Sequence, residues 1–483
     1  MPTSASEIVD EIQKLYLDDS LPWIVGYSGG KDSSASLQLI WNAITTLPLE
    51  KRIKPIHVIS TDTLVENPII STWVKTSLKS MEIHAKKQNV PIYPHHLVPS
   101  LTNRFWVNLI GRGYPAPRPK FRWCTDRLKI SASTEFIREM SETNGEAILV
   151  LGQRQGESRQ RDTVMNKYRQ STRERLSRNS NPKLSRVWVY LPIESWTSDD
   201  VWVYLMSERN PWGINNRHLF EMYRGATPDA ECPLVVDTST PSCGDSRFGC
   251  YVCTMVSQDK SMNAMIQNDK EKQWMQPMLD FRNNFLAIDD RSVRDFRRMN
   301  GSLLPYNGRL VHGPYLQDYR IKLLKELLLT QQAVQCAGKL QGFDIELISL
   351  EELEEIRRIW IEEKGEIEDW VPLIYEEVYD RFYPGYKREP IPFNREDLEL
   401  LRQVSDEVDM DNHGELYRMT RNLLAIYCHT VSVGSKTKLS DRLEKALRYH
   451  AFGSESDAES VIFGDEDKAE SFDNHEKNPE ILS

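Results

Sequence analysis

The 483-residue sequence has no long apolar run and few cysteines. No stretch approaches the roughly 20 apolar residues that a membrane-spanning helix needs, which excludes an ordinary helical membrane protein. Residues 1–7 contain neither a basic segment nor an apolar core, so they predict no secretory signal, and we expect a cytoplasmic protein. Seven cysteines in such a chain point to metal binding or catalysis rather than to a disulfide framework.

The sequence also lacks the G-x-x-x-x-G-K-[ST] phosphate loop. Between the apolar run 23–26 and a segment with helical spacing at 35–41 it has instead Tyr27-Ser28-Gly29-Gly30-Lys31-Asp32-Ser33-Ser34. A strand, a Gly-Gly turn and a helix start offer backbone N–H groups and the positive end of the helix dipole to an anion. The serine hydroxyls and Lys31 add donors. We predict a phosphate-binding loop; the alternative is an ordinary strand-to-helix turn.

Strand and helix patterns alternate over the first 150 residues. Buried strands are predicted at 23–27, 53–60, 91–98 and 147–152, and helices at 7–17, 31–46 and 68–88. This order predicts an α/β fold whose parallel sheet carries helices on both faces. Ligands of such sheets bind beyond the carboxyl ends of the strands.

Polar side chains follow three of these strands and are candidate nucleotide contacts. Asp62 and Glu66 follow the second strand; we predict that Asp62 contacts the nucleotide, and the alternative is that both acids cap the helix at Pro68. Arg154 and Arg159 follow the strand that ends at 152. Guanidinium groups form forked, charge-assisted bonds to phosphate, so both are predicted phosphate ligands; the alternative is solvent-exposed charge.

The remainder of the chain falls into four segments. Residues 99–130 predict a long loop with a short helix at 101–110, and 160–187 a basic, mobile loop. Helices predicted at 316–332, 349–364, 395–408 and 412–430 indicate a helical C-terminal region. The predicted domains are 1–225 for the nucleotide, 226–260 rich in cysteine, 261–451 mainly helical, and 452–483 an acidic, disordered tail.

Charge is unevenly distributed along the chain, whose net charge is −10. Residues 151–190 carry ten Lys and Arg against three acids, whereas 451–483 carry ten acids against two lysines. Local charge, rather than the total, decides phosphate binding. We therefore predict nucleic-acid contact for the basic stretch; the alternative is a solvated face.

Cysteines cluster in one short segment. Cys232, Cys243, Cys250 and Cys253 lie within 22 residues and include a C-x-x-C pair. Four thiolates hold a tetrahedral zinc ion or an iron–sulfur cluster, and the spacing alone favours zinc. Cys124 lies apart, among Arg122, Arg127 and Lys129. Because cations lower the pKa of a thiol, Cys124 is a predicted sulfur carrier; the alternative is a half-buried structural cysteine.

These motifs resemble known families. The loop at 28–34 is similar to the S-G-G-x-D-S pyrophosphate loop of ATP pyrophosphatases, which split ATP into AMP and pyrophosphate. Together with Arg122–Thr125, Gly152–Arg154 and Leu191–Ile193, it resembles the phosphoadenosine-phosphosulfate reductase superfamily over residues 20–225. The segments at 243–254 and 259–262 are closer to the DndC family, the sulfurtransferase subunits of bacterial DNA phosphorothioation and restriction–modification systems.

The resemblance implies a specific chemistry. ATP, with Mg²⁺, would bind at the loop, Lys31, Asp32, Cys124 and Arg154 would act in catalysis, and a DNA phosphate would be adenylated before sulfur displaces AMP. It also implies a [4Fe–4S] cluster, assigned to Cys232, Cys243, Cys250 and Cys253 in place of zinc. Related reductases use a cysteine at the position of Cys124 as a ligand, so five cysteines compete for four places. The implied partners are DNA, a cysteine desulfurase and other phosphorothioation subunits.

Three alternatives stay open at this point. One is a sulfonucleotide reductase of the same fold, although residues 478–483 lack the E-C-G-L-H-type segment that carries the catalytic cysteine in those enzymes. Another is a tRNA thiolase. The third is a non-catalytic, nucleotide-sensing scaffold of a DNA-modification complex.

Overall fold

The computed structural model describes residues 3–119, 121–155, 172–173, 175–179, 181–226, 248–339, 342–386, 393, 395–408, 414–433 and 439–464. The predicted site residues Arg159, Cys232 and Cys243 lie outside this part. The chain divides into two units. The sheet unit comprises 1–105, 117–286 and 334–345, and the helical unit comprises 106–116, 287–333 and 346–483.

The sheet unit is built on seven described strands. They are β1 Trp23–Gly26, β2 Ile56–Thr61, β3 Ile92–Leu97, β4 Ala147–Val150, β5 Thr172–Arg173, β6 Leu176–Arg178 and β7 Val187–Tyr190. Their order is β3-β2-β1-β4-β7-β6-β5. The first five strands in this order pair in parallel, whereas β6 and β5 extend one edge of the sheet by antiparallel pairing.

Helices cover both faces of this sheet, as two successive residues of β1 demonstrate. The Trp23 ring meets the Tyr16 ring of helix α1 (Ala5–Asp18) edge-on at 5.9 Å. Ile24 packs in a different cluster, with Ile137 of helix α4 (Ser131–Asn144). Because successive strand side chains point to opposite faces, α1 and α4 lie on opposite sides of the sheet.

One of the other helices of the sheet unit begins at a capping box. Thr197 caps the helix at Ser198–Ser207 and exchanges hydrogen bonds with Asp200. The helices besides α1 and α4 are α2 Lys31–Thr45, α3 Pro68–Gln88, α5 Ser198–Ser207, α6 Asn216–Gly225, α7 Lys260–Asn268 and α8 Gln276–Phe281.

The helical unit contains a two-stranded hairpin, β8 Pro305–Tyr306 and β9 Arg309–Leu310, and seven α-helices among the described residues. Helix α9 spans Gln317–Lys339, of which residues up to 333 belong to this unit. The others are α10 Leu350–Arg358, α11 Trp370–Tyr379, α12 Arg395–Val408, α13 Glu415–Val433 and α14 Leu439–Tyr449, followed by α15 Glu455–Phe463.

The predicted strands and helices of the first 150 residues are confirmed, with ends shifted by up to three residues. Three predictions were wrong. A helical turn at Thr125–Ile130 lies in the predicted loop at 99–130, whereas the turns at Leu101–Asn103 and Val107–Gly111 agree with the short helix predicted at 101–110. The strands β5 and β6 occupy part of the predicted loop at 160–187, and β7 was not predicted. Helix α15, capped by Ser454, occupies the beginning of the predicted tail. None of the described helices combines the length and the hydropathy needed to cross a membrane.

Candidate nucleotide site

A cavity of about 790 Å³ opens at the carboxyl ends of the parallel strands. From β1 the sheet continues through β2 and β3 on one side and through β4 on the other. β1 and β4 therefore flank a topological switch point, the place where α/β sheets bind ligands. We call this space the switch-point cavity. Its lining includes Ser28, Gly29, Gly30, Lys31, Asp32, Ser33, Glu66, Lys129, Arg154, Tyr223 and Phe248.

The loop after β1 presents an open helix start to this cavity. Gly30 is the N-cap of α2 and has no side chain that could accept from the first N–H groups of the helix. Gly29 has φ +75°, and its carbonyl accepts a hydrogen bond from Trp73 Nε1 at 3.0 Å. Ser28 and Ser33 are linked through their hydroxyls at 3.2 Å. This arrangement suits a phosphate group.

Gly152 allows the end of β4 to approach the beginning of α2. A Cβ atom at this position would lie 2.7 Å from the backbone oxygen of Asp32 and 2.9 Å from the nitrogen of Ser33. Both neighbours are backbone atoms at the helix start, so they cannot move aside without changing the loop. Only glycine therefore fits at position 152.

Charges in the cavity wall form a connected set. Arg154 is buried, and its Nε donates to Asp32 Oδ1 at 2.6 Å. Lys31 Nζ lies 3.5 Å from the other carboxylate oxygen of Asp32 and 5.4 Å from the ring centre of Tyr223. Two cations thus share one carboxylate, which leaves net positive charge beside the open helix start. This charge favours binding of a polyphosphate.

Tyr223 and Phe248 form an aromatic part of the wall that the sequence analysis missed. Their rings pack edge to face at 4.7 Å, and the Tyr223 hydroxyl accepts from the backbone N–H of Lys31 at 3.4 Å. Tyr223 lies on α6, and the strongly amphipathic sequence of this helix could have predicted that Tyr223 is buried. An aromatic wall next to a phosphate loop provides a surface for a nucleotide base.

Asp62 does not line the cavity, contrary to the predicted nucleotide contact. It is buried, accepts hydrogen bonds from His96 Nε2 at 3.3 Å and the N–H of Leu64 at 2.9 Å, and pairs with Lys75 at 3.2 Å. Burial acts to raise the pKa of Asp62, but these contacts outweigh it and hold the pKa well below its usual range. The carboxylate therefore holds the loop after β2 in place.

The helix at Pro68 is capped by neither acid. Asn67 is its N-cap, and the side-chain oxygen of Asn67 accepts from the N–H of Ile69 at 3.0 Å. Glu66 lines the cavity instead. The alternative interpretation of Asp62 and Glu66 as helix caps is therefore wrong as well.

Glu66 and Lys129 connect the cavity wall to the cysteine segment. Lys129 Nζ lies 3.9 Å from Glu66 Oε1, and the backbones of Glu66 and Cys250 form an antiparallel bridge. Thr63 Oγ1 lies 3.3 Å from Cys250 Sγ. The negative potential of Cys250, followed by that of Glu66, raises the pKa of Lys129, while burial raises the pKa of Glu66. The nucleotide cavity and the thiols thus share two charged side chains.

Cys124, Cys250 and Cys253 each interact electrostatically with Lys129. Burial raises the pKa of the Cys250 thiol to about 11, with Lys129 opposing it. Burial and then Cys253 also raise the pKa of Cys124. The predicted lowering of the pKa of Cys124 was wrong: Lys129 does lower it, but burial and Cys253 outweigh this effect.

The described cysteines are thiols, the donor type that an iron–sulfur cluster needs. Three of them act electrostatically on Lys129, and the buried Arg282 fixes the carbonyl of Cys253 through Nε and Nη2, each at 3.0 Å. In the part of the chain that the structure describes, no group of three His, Cys, Asp or Glu side chains is arranged to hold a metal ion. Because Cys232 and Cys243 lie outside that part, the four-cysteine set stays a prediction.

The structure brings most predicted nucleotide residues together. Those in the cavity wall are Ser28, Gly29, Gly30, Lys31, Asp32, Ser33 and Arg154. Ser34 is buried behind the loop, where its N–H donates to the Gly30 carbonyl at 3.0 Å. Asp62 and Cys124 lie outside the wall.

Substitution of Gly152 by Ala tests the geometry of the loop. The added methyl group is expected to displace the start of α2, an overpacking effect of about 1–3 kcal/mol, and so weaken ATP binding about tenfold or more in a calorimetric titration. Gly338→Ala is the matched control, because the nearest atoms to its added carbon would lie 3.6 Å away. Unchanged ATP affinity in Gly152→Ala would contradict this role.

Residues 22–255 match the family model of the phosphoadenosine phosphosulfate reductase domain, a little under half of the chain. An uncharacterised protein of Methanocaldococcus jannaschii is 26% identical over 263 residues, which cover 54% of this chain and 42% of that protein. The chain thus spans less than half the length of this relative.

Two solved structures are similar in part. A phosphoadenylyl-sulfate reductase of Candida auris, in complex with phosphate, has a TM-score of 0.26 at 12% identity and covers 44% of this chain and 91% of its own. An FMN adenylyltransferase of Candida glabrata, with FAD and inorganic pyrophosphate, has a TM-score of 0.27 at 12% identity over 46% and 62%. The family match supports the phosphoadenosine phosphosulfate reductase superfamily for residues 22–255.

Proposed function

We propose that this protein is an ATP-dependent sulfurtransferase of DNA phosphorothioation. It would adenylate a phosphate of the DNA backbone with release of pyrophosphate, and then replace a non-bridging oxygen by sulfur. The family match supports the coarser statement, a nucleotide-binding enzyme of sulfur chemistry. The DNA acceptor rests on the resemblance of residues 243–254 and 259–262 to the DndC family.

One observation carries the proposal: Glu66 and Lys129 line the switch-point cavity, and the same two residues contact or act on the cysteines. A simple ATP-binding protein has no need of thiols beside its nucleotide. A thiol protein without nucleotide chemistry has no need of an open helix start flanked by Lys31 and Arg154. Activation of a phosphate followed by attack of sulfur uses both.

The proposed steps balance. A non-bridging oxygen of the DNA phosphate attacks the α-phosphorus of ATP, the bond to the β-phosphate breaks, and pyrophosphate leaves with the bonding electrons. Sulfur at the oxidation level of hydrosulfide then attacks the DNA phosphorus, and AMP leaves with the adenylated oxygen. Adenylation is needed because oxide is a poor leaving group and AMP is a better one.

The residues of the wall have distinct parts in these steps. Lys31 and the N–H groups at the start of α2 would hold the β- and γ-phosphates and stabilise the charge that develops on pyrophosphate. Asp32 keeps Arg154 and Lys31 in place through its two carboxylate oxygens. ATP would enter as its Mg²⁺ complex.

The cysteines would hold the cluster and deliver sulfur. Cys250 and Cys253, together with Cys232 and Cys243, would ligate a [4Fe–4S] cluster, and a bound cluster would supply a redox-active centre. Cys124, which also interacts with Lys129, would carry sulfur to the activated phosphate. A cysteine desulfurase would supply that sulfur as a persulfide on Cys124, and a dithiol reductant, oxidised to its disulfide, would bring it to the hydrosulfide level. Other phosphorothioation subunits would present the DNA.

A sulfonucleotide reductase is the second candidate, and the match of residues 22–255 favours it specifically. The two functions differ in what happens to ATP and to phosphoadenosine phosphosulfate. A reductase would consume the sulfonucleotide and form sulfite, with no need of ATP or DNA. A tRNA thiolase would release pyrophosphate with tRNA rather than with duplex DNA, and a scaffold would bind ATP without turnover.

Pyrophosphate release from ATP tests the nucleotide site and the acceptor together. With its partner subunits present, the protein is expected to release pyrophosphate faster with duplex DNA than with tRNA. Lys31→Ala is expected to lower the rate about 100-fold, as for other lost transition-state contacts. Lys79→Ala removes an exposed lysine outside the cavity lining and should leave the rate unchanged.

Two results would contradict the proposal in different ways. Equal rates in Lys31→Ala and wild type would show that the ATP site lies elsewhere. Sulfite formation from phosphoadenosine phosphosulfate, without ATP turnover on DNA, would establish the reductase instead.

Cys124→Ser separates sulfur transfer from cluster binding. After anaerobic purification, this variant is expected to keep the iron and acid-labile sulfide of the wild type while sulfur incorporation into DNA is lost. Cys336→Ser changes an exposed cysteine and should alter neither. Loss of iron in Cys124→Ser would place Cys124 among the ligands, and zinc in place of iron in the wild type would overturn the cluster.

A further inference from the structure

The helical unit encloses a second cavity, of about 640 Å³, which the proposed reaction does not use. Its volume falls in the range of small-molecule sites. The wall contains eight Arg and Lys side chains and five Asp and Glu side chains, with several tyrosines and His450. We call this space the helical-unit cavity.

Every acid in the wall already has a cationic partner. Asp295 pairs with Arg297 at 3.0 Å, and Glu366 accepts from both terminal nitrogens of Arg320. The other three are paired at 2.7–3.4 Å: Glu362 and Glu363 with Arg358, and Glu455 with Arg291 and His312. Each acid of the wall is therefore engaged by at least one cation.

Three cations in the wall form no ion pair in the described part of the chain, although Glu366, Asp295 and Glu363 act on Lys364 electrostatically. The three cations are Lys364, Arg442 and Lys445. Arg421 adds an unused donor: its Nη1 pairs with Glu368 at 2.7 Å, but its buried Nε has no hydrogen-bond partner in the described part of the chain. The wall is thus left with a surplus of positive charge.

The ammonium group of Lys364 is poorly solvated in this wall. Burial, followed by the like charge of Arg320, lowers the pKa of Lys364 to about 8. Like charges held together in a partly enclosed space are stabilised by an anion placed between them. An anion bound beside Lys364 would therefore stabilise its charged form.

We propose that the helical-unit cavity binds a small phosphorylated molecule, with its phosphate beside Lys364 and its remainder toward Arg442 and Lys445. Guanidinium and ammonium groups together are the usual protein partners of phosphate. Tyr315 and Tyr449 of the wall offer apolar surface to the rest of the molecule. The cavity is too small for a nucleic-acid duplex. The proposal is independent of the nucleotide chemistry of the sheet unit.

Calorimetric titration of the full chain with inorganic phosphate, pyrophosphate and AMP tests the site. A Lys31→Ala background weakens binding in the switch-point cavity, so that the signal of the helical unit is isolated. We expect this background to bind at least one of the three probes. Tighter binding of AMP than of phosphate would identify a nucleoside phosphate, and equal binding would identify the phosphate group alone; both support the site.

Substitutions of wall residues show whether the calorimetric signal comes from the helical-unit cavity. Added to Lys31→Ala, Lys364→Met is expected to weaken binding at least tenfold, and Lys445→Met at least threefold. Lys322→Met removes an exposed lysine outside the cavity lining and should change nothing. Because Lys445 is exposed, its variant keeps the test valid if Lys364→Met does not fold.

Proton uptake gives a second readout. A bound anion raises the pKa of Lys364, so binding at pH 8 should take up protons, measured as a dependence of the binding enthalpy on the buffer. The groups that act on Lys364 are Arg320, Glu366, Asp295 and Glu363. No binding of any probe to Lys31→Ala, or affinity unchanged by both Lys364→Met and Lys445→Met, would overturn the proposal.

Discussion

The nucleotide cavity depends on the close approach of two backbones, the end of β4 at Gly152 and the start of α2 at Asp32. This contact brings Arg154, which follows Gly152, within hydrogen-bonding distance of Asp32 across the switch point. The pair then fixes the open helix start that Gly30 leaves uncapped. A side chain at position 152 would separate these elements, and the charged wall would lose its geometry with them.

A second constraint joins nucleotide chemistry to thiol chemistry. The segment at 249–251 pairs with the loop after β2, where the N–H of Tyr251 donates to the Val65 carbonyl at 3.0 Å. This pairing places Cys250 beside Glu66 and Lys129, which belong to the cavity wall. The loops at the carboxyl edge of the sheet therefore hold the residues of both parts of the proposed reaction. The helical unit contains a separate cavity with many cations in its wall.

The sequence predicted the fold well where local and global signals agree. The strand–Gly-Gly–helix order after Trp23 and the cap at Thr197 are encoded within a few residues. Tyr223 and Lys129 were missed as cavity residues because their roles depend on contacts with segments far away in the chain. Contacts with distant segments also explain why the predictions for Asp62 and Cys124 failed. The carboxylate of Asp62 is occupied by His96 and Lys75, and burial of the Cys124 thiol outweighs the effect of its charged neighbours on its pKa.

The central claim is that the two chemistries act on one substrate, the DNA backbone. The most direct measurement is mass spectrometry of nuclease-digested DNA from cells that carry this gene with its neighbouring genes. The account predicts phosphorothioate-linked dinucleotides in the wild type and in Lys79→Ala, and none in Lys31→Ala or after deletion of the gene. Sulfur-free DNA in the wild type, or undiminished phosphorothioate after deletion, would contradict it.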